Sequence, residues 1–143
     1  MTISVRIHGT CVAVEGRGAL FRGKPGSGKS DLALRLIERG AQLIADDQVL
    51  LERDEDGVHA TTEPRLHGKL EVRGVGILEV PSVQAAPLLA VFDLCPPDEI
   101  PRLPEAEWAE LLPGARVRAF RLAPFEASAP DKVRLTLAAL TQL

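Results

Sequence analysis

The chain has 143 residues, of which 45% are apolar and 26% charged, a balance typical of one globular domain with its own core. A net charge of −3 and an aromatic content of 3% argue against a surface that binds nucleic acid or an anionic membrane. The N-terminus has no signal-peptide pattern and no apolar run could span a bilayer, so we expect a single domain over residues 1–143 in the cytoplasm.

Short apolar runs separated by glycine-containing turns predict many strands in the first half of the chain. The predicted strands cover residues 4–7, 10–15, 18–21, 42–45, 49–52, 58–61, 70–73 and 77–80. A helix is predicted over residues 29–39, where apolar residues recur at helical spacing and Asp31 can pair with Arg35. Its inward face consists of Leu32, Ala33, Leu36 and Ile37. Gly40 stands where a glycine commonly ends a helix.

The second half of the chain is more mixed. It is predicted to form a buried strand over residues 88–94, a proline-rich loop over 95–104, a short helix over 105–112, a strand over 116–122 and a closing helix over 129–143. Ser128 can cap the closing helix and Pro130 fits its first turn. The inward stripe of that helix is Val133, Leu137 and Leu140. Cys11 and Cys95 fit no C-x-x-C pattern and are expected to be reduced core residues. The mixture predicts an α/β fold with additional β structure.

Residues 23–30 match the phosphate-binding pattern G-x-x-x-x-G-K-[ST] at every position. The matching residues are Gly23, Lys24, Pro25, Gly26, Ser27, Gly28, Lys29 and Ser30. In such a P-loop, backbone N–H groups surround phosphate oxygens, Lys29 meets the β- and γ-phosphates, and the Ser30 hydroxyl can bind Mg²⁺. The predicted strand before the loop and helix after it complete this context. The sequence therefore predicts binding of ATP, or a similar nucleoside triphosphate, together with Mg²⁺.

Two further stretches carry charged residues that could serve such a site. Asp46 and Asp47 end an apolar strand, the usual place of an acidic residue near the metal of a P-loop enzyme. Neighbouring strand residues point to opposite faces, so one carboxylate should face the γ-phosphate while the other orders the loop or a metal-bound water. Glu71 and Arg73 share a strand face and could hold Mg²⁺ and phosphate, or form a surface ion pair. Two solvated loop carboxylates remain the alternative for the aspartates, and His8 by itself suggests a structural polar group.

Four stretches together resemble the catalytic domain of bacterial HPr kinase/phosphorylase. They are His8-Gly9, the P-loop, residues 45–47 and the Glu-Val-Arg-Gly-Val-Gly-Ile segment at residues 71–77. The resemblance implies a P-loop kinase domain related to phosphoenolpyruvate carboxykinase, in a short form consisting of the catalytic domain only. It also implies an ATP-dependent protein-serine kinase acting on HPr, the phosphocarrier of the sugar phosphotransferase system. Members of the family usually assemble as hexamers, so a homo-oligomer is expected.

The resemblance also assigns roles to individual residues. By position, the catalytic candidates are His8, Lys29, Asp47 and Arg102, and the magnesium candidates are Ser30 and Glu71. Asp47 would take the proton of the substrate serine in the forward reaction and return it in the reverse. Arg102 corresponds to a catalytic arginine in a loop. In the family, the same site also removes the phosphate with inorganic phosphate, giving pyrophosphate.

One departure from the family concerns this reverse reaction. Long members carry a Gly-Arg-Asn stretch used in phosphate removal, whereas residues 122–128 read Leu-Ala-Pro-Phe-Glu-Ala-Ser. Weak phosphorylase activity is therefore expected. Two other functions remain open: a P-loop kinase for a small metabolite, although no arginine-rich lid is evident, and a nucleotide-sensing module without catalysis. Asp47 discriminates between the sensor and a kinase, because a sensor needs no base there and a kinase does.

Overall fold

The structure is a computed structural model and describes residues 2–142. These residues form two helices, a nine-stranded sheet and a separate two-stranded sheet. The strands are β1 (Ile3–His8), β2 (Thr10–Val14), β3 (Arg17–Arg22), β4 (Gln42–Ala45), β5 (Gln48–Asp54), β6 (Gly57–Thr61), β7 (Lys69–Val72), β8 (Gly76–Glu79), β9 (Ala85–Leu94), β10 (Glu107–Leu112) and β11 (Ala115–Leu122). The helices are α1 (Lys29–Ile37) and α2 (Ala129–Leu140). The predicted α/β fold with additional β structure is confirmed.

The order of the strands fixes where the loops meet. The large sheet runs β1-β5-β6-β9-β3-β2-β4, and β11 also pairs with β9 and carries β10 at its outer edge. Strand β9 is parallel to both β3 and β11, so the carboxyl ends of these three strands lie at one edge. Strand β2 is antiparallel to β3 and to β4, so β4 ends at that same edge.

Apolar residues cover both faces of the central strands, because successive side chains point to opposite faces and both faces are buried. Helices α1 and α2 pack on one face, over Val12, Phe21 and Phe92. The sheet curls over its other face, where Cys11 and Leu20 are buried together with residues of β5, β10 and β11. The two clusters sandwich the central strands and so hold rigid the strand ends from which the loops emerge.

The predicted helix over residues 105–112 is wrong, because this segment is strand β10. It pairs antiparallel with β11 through a tight turn at Pro113-Gly114, where Gly114 has a φ of 75°. The guanidinium of Arg116 lies 4.9 Å from the centre of the Trp108 ring, which secures the pairing from the exposed side. The residues favour a helix by propensity, but the open edge of β11 supplies backbone partners that a short isolated helix lacks.

The closing helix differs in two details from its prediction. Ser128 occupies the N-cap position, but its side chain makes no capping hydrogen bond. Helix α2 ends at Leu140, and residue 143 lies outside the described residues. Pro130 is in the first turn as predicted, and Val133 and Leu137 are fully buried while Leu140 is half-buried. Within residues 2–142, no helix has the length and apolarity needed to cross a membrane.

Candidate functional site

Loops from the ends of the parallel strands β3, β9 and β11 enclose a cavity of about 900 Å³. In α/β sheets, ligands bind in the crevice beyond the carboxyl ends of the strands. Arg22 ends β3 and makes a two-pronged hydrogen bond to Asp93 of β9, with N–O distances of 2.8 and 3.1 Å. This ion pair ties the two strand ends together at the mouth of the glycine-rich loop, residues 23–28.

Two glycines of the glycine-rich loop stand where a side chain would crowd its neighbours. A Cβ atom on Gly23 would lie 2.4 Å from the Ser27 hydroxyl oxygen, closer than any real contact. Gly28 has a φ of 100°, and a Cβ there would lie 2.9 Å from the Phe125 ring. The Ser27 hydroxyl is buried and finds no hydrogen-bond partner within residues 2–142. A buried hydroxyl without a partner calls for an acceptor, and a phosphate bound in this tightly turned glycine loop would supply one.

Lys29 opens helix α1 directly behind this loop. Only 9% of the residue is exposed, and its ammonium donates hydrogen bonds of 2.7 and 3.0 Å to the carbonyls of Gly23 and Lys24. A buried ammonium is costly unless it is well paired, and loop carbonyls carry only partial charge. The positive charge is therefore held under the loop, available to an anion bound there.

Asp46 is the junction of three elements at the end of β4. Its Oδ1 accepts hydrogen bonds from the hydroxyls of Ser30 in α1 and Thr10 in β2, at 2.8 and 3.0 Å. Its Oδ2 accepts the backbone N–H of Glu71 in β7 at 3.1 Å. One carboxylate thus joins the Ser30 hydroxyl and the Glu71 backbone, which are far apart in sequence.

Asp47 has a different environment from its neighbour. Its backbone adopts a φ of 72°, which aspartate tolerates better than most residues, and its carbonyl accepts the N–H of Gly9 at 3.0 Å. Its side chain is 73% exposed and its Oδ1 lies 2.8 Å from the Nε2 of His8. Strained non-glycine backbone is frequent at functional sites. Of the two aspartates, Asp47 is the one whose carboxylate remains accessible.

The remaining candidates are less closely joined. Glu71 and Arg73 are both exposed, Glu71 on β7 and Arg73 in the turn that follows this strand. Arg102 is exposed in the loop after β9 and makes no hydrogen bond or ion pair with any of residues 2–142. The structure therefore unites Ser30, Asp46 and the Glu71 backbone, and separately His8 with Asp47, but it does not join Arg102 to either group.

The loop between β11 and α2 contributes contacts that the sequence analysis missed. Phe125 lies against Gly28 of the glycine-rich loop, and the Arg35 guanidinium of α1 donates hydrogen bonds to the carbonyls of Pro124 and Glu126. Arg35 also pairs with Asp31 at 3.1 Å, as predicted. The only sequence signal for this docking was an aromatic residue in the short segment directly before a predicted helix.

The two cysteines differ in exposure. Cys11 is fully buried in the core, as predicted, and burial raises the pKa of its thiol far above the ordinary range. Cys95 is not a core residue, contrary to the prediction: it is half-buried and lines the cavity, where partial burial and then the nearby Glu99 carboxylate raise its pKa. Neither thiol is activated for nucleophilic chemistry.

Comparison with known proteins identifies the family. The family model of the HPr Serine kinase C-terminal domain matches residues 1–86, more than half of the chain. The chain belongs to this family. HPr kinase/phosphorylase of Clostridium tetani is 44% identical over 89 residues, which are 62% of this chain and 28% of that protein. The protein of the same name from Clostridium novyi is 48% identical over 79 residues, 54% of this chain and 25% of that one.

The family model matches the part of the chain that contains the glycine-rich loop. The chain covers about a quarter of the length of the curated relatives it matches. A solved structure described as the Hpr(Ser) kinase/phosphatase from Coxiella burnetii has the same fold, with a TM-score of 0.81 and 24% sequence identity. That similarity covers 96% of this chain and 90% of the other. The fold of the family therefore extends beyond residue 86.

Proposed function

We propose that this chain is an ATP-dependent protein-serine kinase that phosphorylates HPr. The observation that carries the proposal is the arrangement around Asp46 and Asp47. One carboxylate is held by Ser30 at the start of α1, and the next residue offers an exposed carboxylate paired with His8. The Ser30 hydroxyl that follows the glycine-rich loop is thus linked, through Asp46, to the neighbouring accessible carboxylate of Asp47. The names of the relatives support HPr as the substrate.

In this proposal, the glycine-rich loop and Lys29 bind the triphosphate of ATP. Backbone N–H groups of the loop would surround the phosphate oxygens, and the buried ammonium would exchange its carbonyl partners for β- and γ-phosphate oxygens. Phosphate contacts to Lys29 are stronger than those to neutral carbonyls because both partners are charged. The unpaired Ser27 hydroxyl is available as a further donor to phosphate.

The Ser30 hydroxyl and the Glu71 carboxylate would hold Mg²⁺, which neutralises negative charge on the transferred phosphoryl group when bound. Residues 2–142 contain no cluster of three or more His, Cys, Asp or Glu side chains able to hold a metal. Mg²⁺ does not need one, since it prefers one or two protein oxygens plus phosphate and water. The hydrogen bonds of Asp46 to Ser30 and to the Glu71 backbone would fix the two ligands relative to each other.

Asp47 would act as the base for the serine hydroxyl of HPr. The bond between the serine oxygen and the γ-phosphorus forms, the bond from that phosphorus to the ADP oxygen breaks, and the serine proton passes to the Asp47 carboxylate. His8, at 2.8 Å, would orient this carboxylate and offer a path for the proton to solvent. The high exposure of the Asp47 side chain suits a substrate that is itself a folded protein.

The test is incubation of the chain with γ-labelled ATP, Mg²⁺ and purified HPr, followed by locating the label. We expect label on a serine of HPr with the wild type. Lys29→Ala should abolish it by weakening triphosphate binding. Asp47→Asn should leave ATP binding intact and slow transfer by roughly 10²–10⁴-fold, the usual contribution of a general base.

Asp56→Asn is the matched control, because Asp56 is an exposed carboxylate in the turn between β5 and β6. It should leave transfer unchanged. ATP binding without transfer to HPr in the wild type would instead indicate a nucleotide-sensing module. Transfer to a small metabolite would indicate a metabolite kinase. Full activity of Asp47→Asn together with loss in Asp46→Asn would show that the roles of the pair are reversed.

We also propose that the chain acts in the cytoplasm as a single catalytic domain that forms a homo-oligomer. Support for an assembly comes from the β7–β8 hairpin, on which Val75 and Ile77 are 67% and 71% exposed. Large exposed apolar residues that adjoin one another commonly mark protein interfaces. Sedimentation at micromolar concentration should show a species larger than the monomer, and a monomer at all concentrations would contradict the proposal.

A further inference from the structure

The cavity at the strand ends extends well beyond the glycine-rich loop. One wall is the loop itself, and the others are the segment after β9 and the loop between β11 and α2. A triphosphate bound over Lys29 occupies only the part next to the loop. Its volume of about 900 Å³ lies within the range of pockets that hold whole small-molecule ligands, so there is room for what the phosphates are attached to.

Phe125 is the distinctive side chain of this cavity. It is 70% exposed, yet it is fixed in place by Gly28 on one side and by the hydrogen bonds from Arg35 to its neighbouring carbonyls. An aromatic ring that is held firmly but left open to solvent loses little freedom when another ring stacks on it. Because it contacts the glycine-rich loop directly, the ring lies beside the path of a bound triphosphate.

The chemistry of the other walls favours a neutral, flat ligand. Leu94, Pro96 and Pro97 present apolar surface, and the prolines have no N–H to donate. The Cys95 N–H is already used by the carbonyl of Leu122 at 3.0 Å. Arg22 and Asp93 also line the cavity but are paired with each other, and the carboxylates of Glu99 and Glu126 would repel a further anion. These walls offer stacking and apolar contact rather than a pattern of donors that could read base edges.

We propose that Phe125 stacks on the base of the bound nucleoside triphosphate, and that this cavity is the nucleoside subsite. The inference rests on the proposed function, since it assumes that the glycine-rich loop binds the triphosphate. Stacking is tolerant of base identity because every base has a π-face. The subsite therefore binds the base by stacking and discriminates little between ATP and GTP.

The test compares three magnesium-bound probes by calorimetry: ATP, GTP and inorganic tripolyphosphate, which has phosphates but no base. Phe125→Ala should weaken ATP and GTP binding by roughly 5- to 150-fold, the range for loss of one base–aromatic stack. Tripolyphosphate binding should be unchanged. Phe125→Trp should retain nucleotide affinity, because a larger aromatic face replaces the lost one. The matched control is Leu135→Ala, which removes another exposed apolar side chain, 58% exposed on α2.

The outcomes separate the two proposals. If the wild type binds neither ATP nor tripolyphosphate, the proposed triphosphate function fails and the subsite fails with it. If the wild type binds both and Phe125→Ala changes neither, the glycine-rich loop functions as proposed but the nucleoside subsite is overturned. An equal loss for ATP and tripolyphosphate would show that Phe125 only shapes the phosphate loop, and it would also overturn the subsite. Thermal melting of each variant verifies that it is folded.

Discussion

Replacing Asp46 by alanine should destabilise the fold far more than its position at a strand end suggests. The carboxylate accepts three hydrogen bonds, from Thr10, Ser30 and the Glu71 backbone. A hydrogen bond to a charged group contributes about 1.5–3 kcal/mol, but Asp46 is only half-buried and the three bonds are not additive. We therefore expect a loss of roughly 3 kcal/mol, mostly because the 1% exposed Thr10 is left without an acceptor.

Urea denaturation followed by circular dichroism measures this loss, and a fall in Tm of about 10 °C should accompany it. Asp46→Asn should cost less, roughly 1 kcal/mol, because one oxygen remains while an amide N–H₂ faces the Glu71 N–H. The control is Asp47→Asn. That side chain is 73% exposed, and asparagine tolerates the same left-handed backbone, so the change should stay within about 0.5 kcal/mol. Equal stability of Asp46→Ala and Asp47→Asn would refute the view that Asp46 is the structural member of the pair.

Three further predictions concern the metal, the thiols and the reverse reaction. Glu71→Gln should raise the Mg²⁺ concentration needed for half-maximal phosphorylation roughly tenfold or more, because it removes a charged ligand. The control is Glu79→Gln, which changes an exposed carboxylate on the other strand of the same hairpin and should leave that concentration unchanged. Identical Mg²⁺ curves for Glu71→Gln and the wild type would exclude Glu71 as a ligand. At pH 8, a thiol reagent should modify Cys95 in the folded chain, but more slowly than a free thiol, because the pKa of Cys95 is raised. Cys11 is fully buried and should react only after unfolding. Rapid modification of both thiols in the folded chain would contradict the buried position of Cys11. Starting from HPr phosphorylated on its serine, inorganic phosphate should release pyrophosphate much more slowly than the kinase reaction runs. The reason is that residues 122–128 contain no arginine or lysine to offset the repulsion between two phosphates, and the nearby Lys132 is paired with Glu126 at 3.1 Å. Comparable rates would contradict this.

The parts of the site that follow from local chain geometry were predictable. The turn of the glycine-rich loop depends on the glycines themselves, since a Cβ at Gly23 or Gly28 would collide with neighbours. Helix α1 was predictable because its apolar face and the Asp31–Arg35 pair both lie within one short segment of the sequence. The strands were predictable in the same way, because short apolar runs separated by glycine-containing turns mark them in the sequence.

Pairing between distant segments decided what the sequence left open. Residues 107–112 became strand β10 because β11 offered an open edge, a contact that no local propensity encodes. The pattern Asp46-Asp47 did not reveal which carboxylate is structural. That depends on hydrogen bonds from Thr10 in β2 and from the backbone of Glu71 in β7, which are distant in sequence.

Phe125 shows the same division most clearly. By itself, the sequence determined a phosphate-binding type of loop, an α/β fold and a resemblance to one kinase family, because these reside in short contiguous motifs. It did not determine that the loop before α2 would close on Gly28 and form a cavity wall. That contact exists because β9 holds β3 and β11 parallel on its two sides, so that their end loops meet at one edge of the sheet.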